Sequence, residues 1–450
     1  MSIPKSIDYL TRLPPELLED IFDQVQHSSY PLPSPLSQSL FPFQQKPLFR
    51  TLTLTSYDHL GTLCDYVKNR PQLAAYTETL NLQIRGPWQG GTFPETEDPP
   101  SPSNECVKQL FANLACVTSL VIAGSDRIAR LVLDHDVATI SFPNLRLLTL
   151  SSTFSSLRDP FHPASYESLQ HYNELRAFQL IVRRGPGSME LTTLNDQTQP
   201  LLFRTKIDKI TLSGPLSATP TSVNQFINSF VPLYGISLRD TWGDPRFYDF
   251  LDHIPNPEVV KSLALECQIV HGTPSRVSLV DKLKNFPNLS ELELGGTVST
   301  VCPSLYTSLR SLPLLHRLAF SESANVSLEE LGKVISGPEK LKSLGLIIFN
   351  NVEGVIGTRV CDVGPYRGPT SYWNEEMRES GPHPDWILPD WSLEFSEEGL
   401  KKFMKDAARE GVKIEGSAVK AIGVMQEWEE EAEEARDYYT KKFIVSGLFV

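Results

Sequence analysis

Short hydrophobic alternations recur along most of this 450-residue chain. In each of them, one residue separates two large apolar residues, in the form L-x-L. Because successive side chains of a strand point to opposite faces, both apolar residues of a pair face the same side. The pairs are Leu52/Leu54, Leu80/Leu82, Leu120/Ile122, Leu148/Leu150, Phe178/Leu180, Ile210/Leu212, Ile236/Leu238, Leu263/Leu265, Leu292/Leu294, Leu318/Phe320 and Leu344/Leu346. The pattern predicts short strands, each with one buried face.

The spacing of these pairs indicates a repeat. Their first positions follow one another at 28, 40, 28, 30, 32, 26, 27, 29, 26 and 26 residues, close to the 20–29-residue period of leucine-rich repeats. The longest gap contains GPWQGGTFPETEDPPSPSN, whose Gly and Pro content is typical of an inserted loop. The upstream sequences FPNLRLLTL, FPNLSELEL and LPLLHRLAF share one register, and GPEKLKSLGL (337–346) repeats it with one added residue.

Amphipathic segments between the strands predict helices. Asn104 is a candidate cap for the first of them, and Ser327 with Glu330 is a candidate capping box for a later one. A strand-plus-helix unit cannot bury its apolar face alone, and stacking of neighbours provides a continuous core. We therefore predict an α/β fold, a leucine-rich-repeat solenoid of horseshoe shape, with a parallel strand ladder lining its concave side.

The segment LPPELLEDIFDQVQ (13–26) predicts one further helix near the N-terminus. Two prolines suit a helix entry, where amide donors are spare. The apolar residues of the segment recur at helical spacing. On periodicity alone, this helix is equally well explained as a cap on the repeat array.

The same residues resemble the opening of the F-box, a helical module that docks onto the adaptor subunit of cullin–RING ubiquitin ligases. The region Pro47–Leu82 is similar to the part that follows the F-box in fungal F-box proteins with irregular leucine-rich repeats. The resemblance implies binding to the adaptor and, through it, to a cullin. Matched residue by residue, it implies adaptor contacts at Leu13, Pro14, Glu16, Leu17, Leu18, Ile21 and Phe22.

The sequence departs from the F-box pattern immediately downstream. A full F-box continues into two more helices, whereas this chain continues into the Pro- and Ser-rich stretch 27–47, which is typical of a linker. The module is thus truncated, degenerate or completed by the next predicted helix (57–68).

These features predict five segments. They are an F-box-like helix (10–30), a linker (31–47), the repeat solenoid (48–350), a Gly-, Pro- and Trp-rich loop (351–395), and a final part (396–450). In this last part we expect one more helix-plus-strand unit ending in GVKIEG, then a helix with the acidic run EWEEEAEEARD.

Composition narrows the function to recognition. A formal charge of −13 disfavours nucleic acid as the main partner. The lack of an 18-residue apolar run disfavours a membrane span, and we expect a cytoplasmic or nuclear protein. Its six scattered cysteines form no CxxC pair, which predicts reduced thiols and no metal or cofactor.

Phosphate-loop, nucleophile-elbow and HExxH motifs are missing from the sequence. The cluster Asp134-His135-Asp136 is expected to be a solvated loop.

The expected function is therefore a substrate-recruiting F-box subunit and not an enzyme. The alternative is a leucine-rich-repeat scaffold unconnected to ubiquitin, with the first helix as a cap. Strand residues expected to face solvent include Thr149, Ser151, Gln179 and Thr211. Candidate target-binding residues are Arg239, Glu266, Glu291, Glu293, Arg317, Trp373 and Trp386. Solvated strand faces, and tryptophans that fasten the loop, explain these residues as well.

Overall fold

A computed structural model describes the chain in segments. These are Pro14, Leu17–Leu18, 48–84, 101–152, 160–183, 202–203, 205–230, 232–241, 245–267, 276–296, 299–300, 303–321, 325–337, 340–350, 397–416 and Val419. The chain divides into two compact units, Met1–Leu233 and Tyr234–Val450, and the boundary falls inside the predicted repeat array. The linker, the Trp-rich loop and the acidic helix fall wholly or almost wholly outside the described residues.

The first unit alternates parallel strands with short helices. Its strands are β1 (Thr51–Leu54), β2 (Thr79–Gln83), β3 (Ser119–Ala123), β4 (Leu147–Ser152), β5 (Ala177–Val182) and β6 (Lys209–Gly214). Its α-helices are α1 (Tyr57–Asn69), α2 (Asn104–Asn113), α3 (Asp126–Val132), α4 (His135–Ile140) and α5 (Pro220–Asn228). Shorter 3-10 helices lie at Pro71–Tyr76, Pro163–His171 and Leu216–Ala218. Each of the strands β1 to β5 pairs in parallel with the next one along the chain.

The second unit repeats this arrangement. Its main ladder contains β7 (Gly235–Asp240), β8 (Ser262–Cys267), β9 (Glu291–Gly296), β11 (Arg317–Ser321), β13 (Leu346–Asn350) and β14 (Lys413–Glu415), paired in parallel in that order. A separate parallel pair joins β10 (Ser299–Thr300) and β12 (Asn325–Val326). The helices are α6 (Arg276–Leu283), α7 (Pro303–Leu309), α8 (Leu328–Ile335) and α9 (Glu397–Arg409), with 3-10 helices at Pro245–His253 and Pro257–Val259. The predicted final helix-plus-strand unit is confirmed by α9 and β14.

The L-x-L pairs form the core of both units. The first ten predicted pairs lie in strands, and in each ladder the first residue of one pair is in register with the first residue of the next. Leu120, Leu148 and Leu292 are fully buried. Burial of such a side chain contributes about 1.5–3 kcal/mol. These stacked apolar rows confirm a parallel, solenoid-like α/β fold.

The eleventh predicted pair, Leu344/Leu346, is wrong. Strand β13 pairs with β11 so that Ile347 lies opposite Leu318 and Phe349 opposite Phe320. Ile347 and Phe349 are fully buried, whereas Leu346 is half-buried. The apolar run LGLIIF contains overlapping L-x-L matches, and the predicted pair lies three residues upstream of Ile347/Phe349. In the observed register Leu341 takes the place of Phe142, because the Leu344 amide donates to the Leu341 carbonyl at 3.2 Å.

A recurring turn leads into the strands. In the turn before β4, the Leu145 amide donates to the Phe142 carbonyl at 3.1 Å, and the same contact joins Leu289 to Phe286 before β9. Asn144 then donates its side-chain amide to the Ala115 carbonyl of the preceding repeat at 2.9 Å. Asn288 makes the equivalent bond to a carbonyl 30 residues upstream at 2.7 Å. We call these two bonds the asparagine braces.

Helix starts follow the predicted chemistry with two differences. Ser103, and not Asn104, caps α2: its hydroxyl accepts from the Cys106 amide at 3.2 Å. Ser327 caps α8 and accepts from the Glu330 amide at 3.3 Å, as expected. The reciprocal half of the capping box is replaced, because the amide of Ser327 donates to the Tyr306 hydroxyl at 3.1 Å.

Two buried tyrosines differ in their hydroxyl partners. Tyr172 donates to the Val132 carbonyl at 2.6 Å. The hydroxyl of Tyr248 has no hydrogen-bond partner among the described residues. Burial raises the pKa of both phenols well above the ordinary range. Both hydroxyls therefore stay protonated under ordinary conditions.

Lys282 of α6 holds an ion-pair cluster on the helical side of the second unit. Its ammonium lies 2.8 Å from Asp249 and 2.6 Å from Asp252. The lysine side chain is only 13% exposed, whereas the carboxylates are 55% and 50% exposed. Burial disfavours the charged ammonium, but hydrogen bonds and charge attraction from both aspartates outweigh it and raise the pKa of Lys282.

Gly416 allows β14 to approach β13 closely. It has a φ of +117°, and a Cβ there would lie 2.6 Å from the carbonyl carbon and 2.7 Å from the amide nitrogen of Phe349. Gly411 precedes β14 with a φ of +79° and open space around its Cβ position. The first glycine is required by space and conformation, the second by conformation alone.

No helix among the described residues is long and apolar enough to cross a membrane.

Candidate recognition surface

The outer strand face is defined here as the strand side chains that alternate with the buried L-x-L rows. In the first unit it is polar and uncharged at the predicted positions. The Thr149 hydroxyl donates to the Gln179 side-chain oxygen at 3.0 Å, and Arg183 donates to the Ser151 hydroxyl at 2.9 Å. Thr149 and Ser151 are 7% and 3% exposed. The prediction that they face solvent is therefore wrong, since the longer side chains of the next repeat reach across to them.

The outer strand face of the second unit carries the predicted charges. Arg239 on β7 lies directly opposite Glu266 on β8, and their side chains form an ion pair of 2.9 Å. The Arg239 side chain is 36% exposed and that of Glu266 is 15% exposed. The carboxylate is thus held under the guanidinium and presents little surface to a partner.

A looser cluster surrounds Arg317 on β11. Its guanidinium lies 3.8 Å from Glu291 and 4.0 Å from Glu293, both on the adjacent strand β9. Glu291 also accepts a hydrogen bond of 3.3 Å from the Ser262 hydroxyl. These three charged side chains are 29–39% exposed, so a partner can reach them.

The five charged candidates therefore pair with one another across neighbouring strands. Two guanidinium groups face three carboxylates, which leaves one excess negative charge on this part of the face. Partly exposed ion pairs of this kind contribute only about 0–1 kcal/mol to stability. Their exchange for pairs with a partner consequently costs little.

The structure describes three residues of the F-box-like motif. The amides of Leu17 and Leu18 donate to the Pro14 carbonyl at 3.1 and 3.2 Å, which forms a helical turn. Leu17 is 49% exposed, whereas Leu18 is 3% exposed. The other motif residues, and the two candidate tryptophans, lie outside the described residues. They are Leu13, Glu16, Ile21, Phe22, Trp373 and Trp386.

The acid–histidine cluster is a helix start and not a loop. Asp134 caps α4 by accepting from the backbone amides of Asp136 at 3.0 Å and Val137 at 3.4 Å. His135 packs edge-to-face on His171, with ring centroids 4.4 Å apart. Across the described segments, no group of three His, Cys, Asp or Glu residues is placed to hold a metal ion.

A cleft of about 330 Å³ lies beside this helix start. Its lining is Asn104, Arg127, Arg130, Leu131 and Asp134. Arg127 is committed to the protein itself, because its guanidinium donates to Asn104 at 2.8 Å and to Ser101 at 2.9 Å. These bonds join α3 to the start of α2, so the Arg127 side chain has a structural role.

The sequence predicted these charged residues as candidates but did not predict that they pair with one another. The pairing could have been found from the repeat alignment: once Leu238 is aligned with Leu265, Arg239 and Glu266 occupy the same position of successive repeats. In a parallel ladder such residues are nearest neighbours.

Neither a family model nor a curated protein matches this chain.

Proposed function

We propose that this protein is a recognition subunit that recruits a target to a cullin–RING ubiquitin ligase. In this proposal the N-terminal motif binds the adaptor, and the outer strand face of the second unit binds the target. The ligase chemistry belongs to other subunits, and this chain supplies proximity. The proposal includes the finer fold class, a horseshoe-shaped leucine-rich-repeat solenoid with an F-box-like segment, in a cytoplasmic or nuclear protein.

The observation that carries the adaptor half is the exposure of Leu17 within a motif that resembles the F-box. A leucine that is 49% exposed on a helical turn is available to a partner. The observation behind the target half is the loose cluster around Arg317, whose charges are accessible and weakly paired.

A pull-down with the purified adaptor tests the first half. Leu17→Asp should abolish capture, because a charge replaces an apolar contact at the interface. Leu314→Asp is the matched control, since Leu314 is 52% exposed but belongs to the second unit. Failure of the wild-type protein to capture the adaptor would overturn the ligase role.

One observation favours the second candidate function, a scaffold in which the first helix is a cap. Leu18 is 3% exposed, as expected for a residue packed into the protein. On this alternative, Leu18→Ala lowers the melting temperature strongly and Leu17→Asp changes no partner. Affinity purification with mass spectrometry distinguishes the two, because only the ligase proposal requires the adaptor and a cullin among the captured proteins.

A further inference from the structure

Two histidines from consecutive repeats meet at the surface of the first unit. His135 is the first residue of α4 and is exposed, whereas His171 ends the 3-10 helix Pro163–His171 and is half-buried. Their rings lie edge to face, with centroids 4.4 Å apart and planes at 84° to each other. The two imidazoles therefore occupy one small region between neighbouring helical elements.

Hydrogen bonds hold the backbone on both sides of this pair. Asp134 accepts from two backbone amides in the first turn of α4, which fixes the turn that carries His135. Tyr172, the residue after His171, is 2% exposed and donates its hydroxyl to the Val132 carbonyl at 2.6 Å. This bond ties the two chain segments together next to the rings, so the pair is held in place by the fold.

The ring nitrogens of both histidines are available to a ligand. Within the part of the chain that the structure describes, neither side chain forms a hydrogen bond or an ion pair. A neutral imidazole nitrogen is a good ligand for late transition metals such as zinc and copper. Because His135 is exposed, its ring can turn until one nitrogen of each histidine points at a shared ion.

We propose that His135 and His171 bind one divalent transition-metal ion, of the class to which zinc and copper belong. Water completes its coordination, because no third His, Cys, Asp or Glu of the described segments is placed to join the two histidines. The carboxylate of Asp136 is exposed beside His135 and favours a cation, whereas Lys108, 3.6 Å from Asp134, offsets the charge of that carboxylate.

The ion joins α4 to the 3-10 helix that precedes β5. Only the folded chain brings the two rings together, so binding of the ion stabilises the first unit. This site goes beyond the proposed recognition function and does not depend on it. It also departs from the expectation, drawn from the cysteine pattern, that the protein holds no metal.

The test is a calorimetric titration of the full chain, without a purification tag and stripped of metal with a chelator. Zinc should bind and raise the melting temperature. Magnesium should do neither, because it prefers oxygen ligands. His135→Asn and His171→Asn should each weaken zinc binding by at least about tenfold, since loss of even an outer-shell partner weakens a metal site by about 10–100-fold.

A matched control and a second metal sharpen this result. His59→Asn should leave zinc binding unchanged, because it removes another exposed helical histidine, on α1. Electron paramagnetic resonance of the wild type with one equivalent of copper(II) should show two nitrogen ligands. This second measurement does not depend on the folding of a variant.

Four outcomes would overturn the proposal. They are a wild type that binds no zinc, magnesium that binds as tightly as zinc, unchanged zinc affinity in either histidine variant, and a copper spectrum with fewer than two nitrogens. Each of them would leave the two rings as a packing contact only.

Discussion

The register of β13 can be tested with two neighbouring residues of similar size. Ile347 is fully buried opposite Leu318, whereas Leu346 is half-buried on the opposite side of the strand. Replacing either residue with alanine removes three carbon atoms. The two substitutions therefore remove the same number of atoms from opposite sides of the strand.

The expected costs follow from this difference in burial. At about 0.8 kcal/mol per buried methylene, Ile347→Ala loses about 2.4 kcal/mol of transfer free energy. The cavity left in a packed core brings the total to about 3–4 kcal/mol. Leu346→Ala should cost about 1 kcal/mol, because its site is open to solvent on one side and leaves no closed cavity.

Urea unfolding, followed by far-UV circular dichroism, measures both free energies. Since the chain has two compact units, the comparison uses the transition that responds to the substitution. In a unit of this size, the Ile347→Ala cost corresponds to a fall of roughly 6–16 °C in the melting temperature. A cost for Leu346→Ala equal to or above that of Ile347→Ala would refute the register.

Three further predictions concern close packing, hydrogen bonding and charge. Gly416→Ala should detach β14 and accelerate hydrogen exchange of its amides. Gly411→Ala should cost only about 1 kcal/mol of backbone strain. Equal effects of the two substitutions would contradict the close approach of β14 to β13. Tyr172→Phe should lower the unfolding free energy by about 1 kcal/mol, because it leaves a carbonyl unpaired, and Tyr248→Phe should be neutral or stabilising in the same urea titration. Lys282→Met should destabilise the protein at neutral pH by about 1 kcal/mol, less at high salt. Because the folded-state pKa of Lys282 is raised, its contribution is complete below the unfolded pKa and disappears only as the pH rises through the folded one. The difference in unfolding free energy between the wild type and Lys282→Met is then measured across a pH series. Disappearance of this difference already at neutral pH would contradict the prediction.

The repeat period made most of the fold predictable. An alternation such as Leu148-Thr149-Leu150 fixes which side chains point into the core, and its recurrence fixes the parallel neighbour. The predicted pair Leu344/Leu346 is wrong because a continuous apolar run contains several equivalent alternations. Only the pairing with Leu318 decides between them, and that pairing is a tertiary fact.

The residues of the candidate surface were predictable from the sequence, but their exposure and their pairing were not. Strand position predicted that Thr149 faces away from the core, yet its burial depends on the reach of Gln179 from the next repeat. The contact between α1 and α2 was not predictable, because the strand period does not specify how helices pack. Residue spacing along the chain gives the ladder neighbours and leaves helix–helix contacts open.

The asparagine braces have a consequence for how the protein opens. Each one satisfies a carbonyl of one repeat with a side chain supplied by the next, as Asn144 does for Ala115. Local unfolding of a repeat therefore removes a partner from its predecessor, so neighbouring repeats open as pairs and not singly. A truncated chain that ends between Ala115 and Asn144 would expose the carbonyl that the missing repeat normally binds. Cut sites for shorter versions of this protein are best placed after the brace.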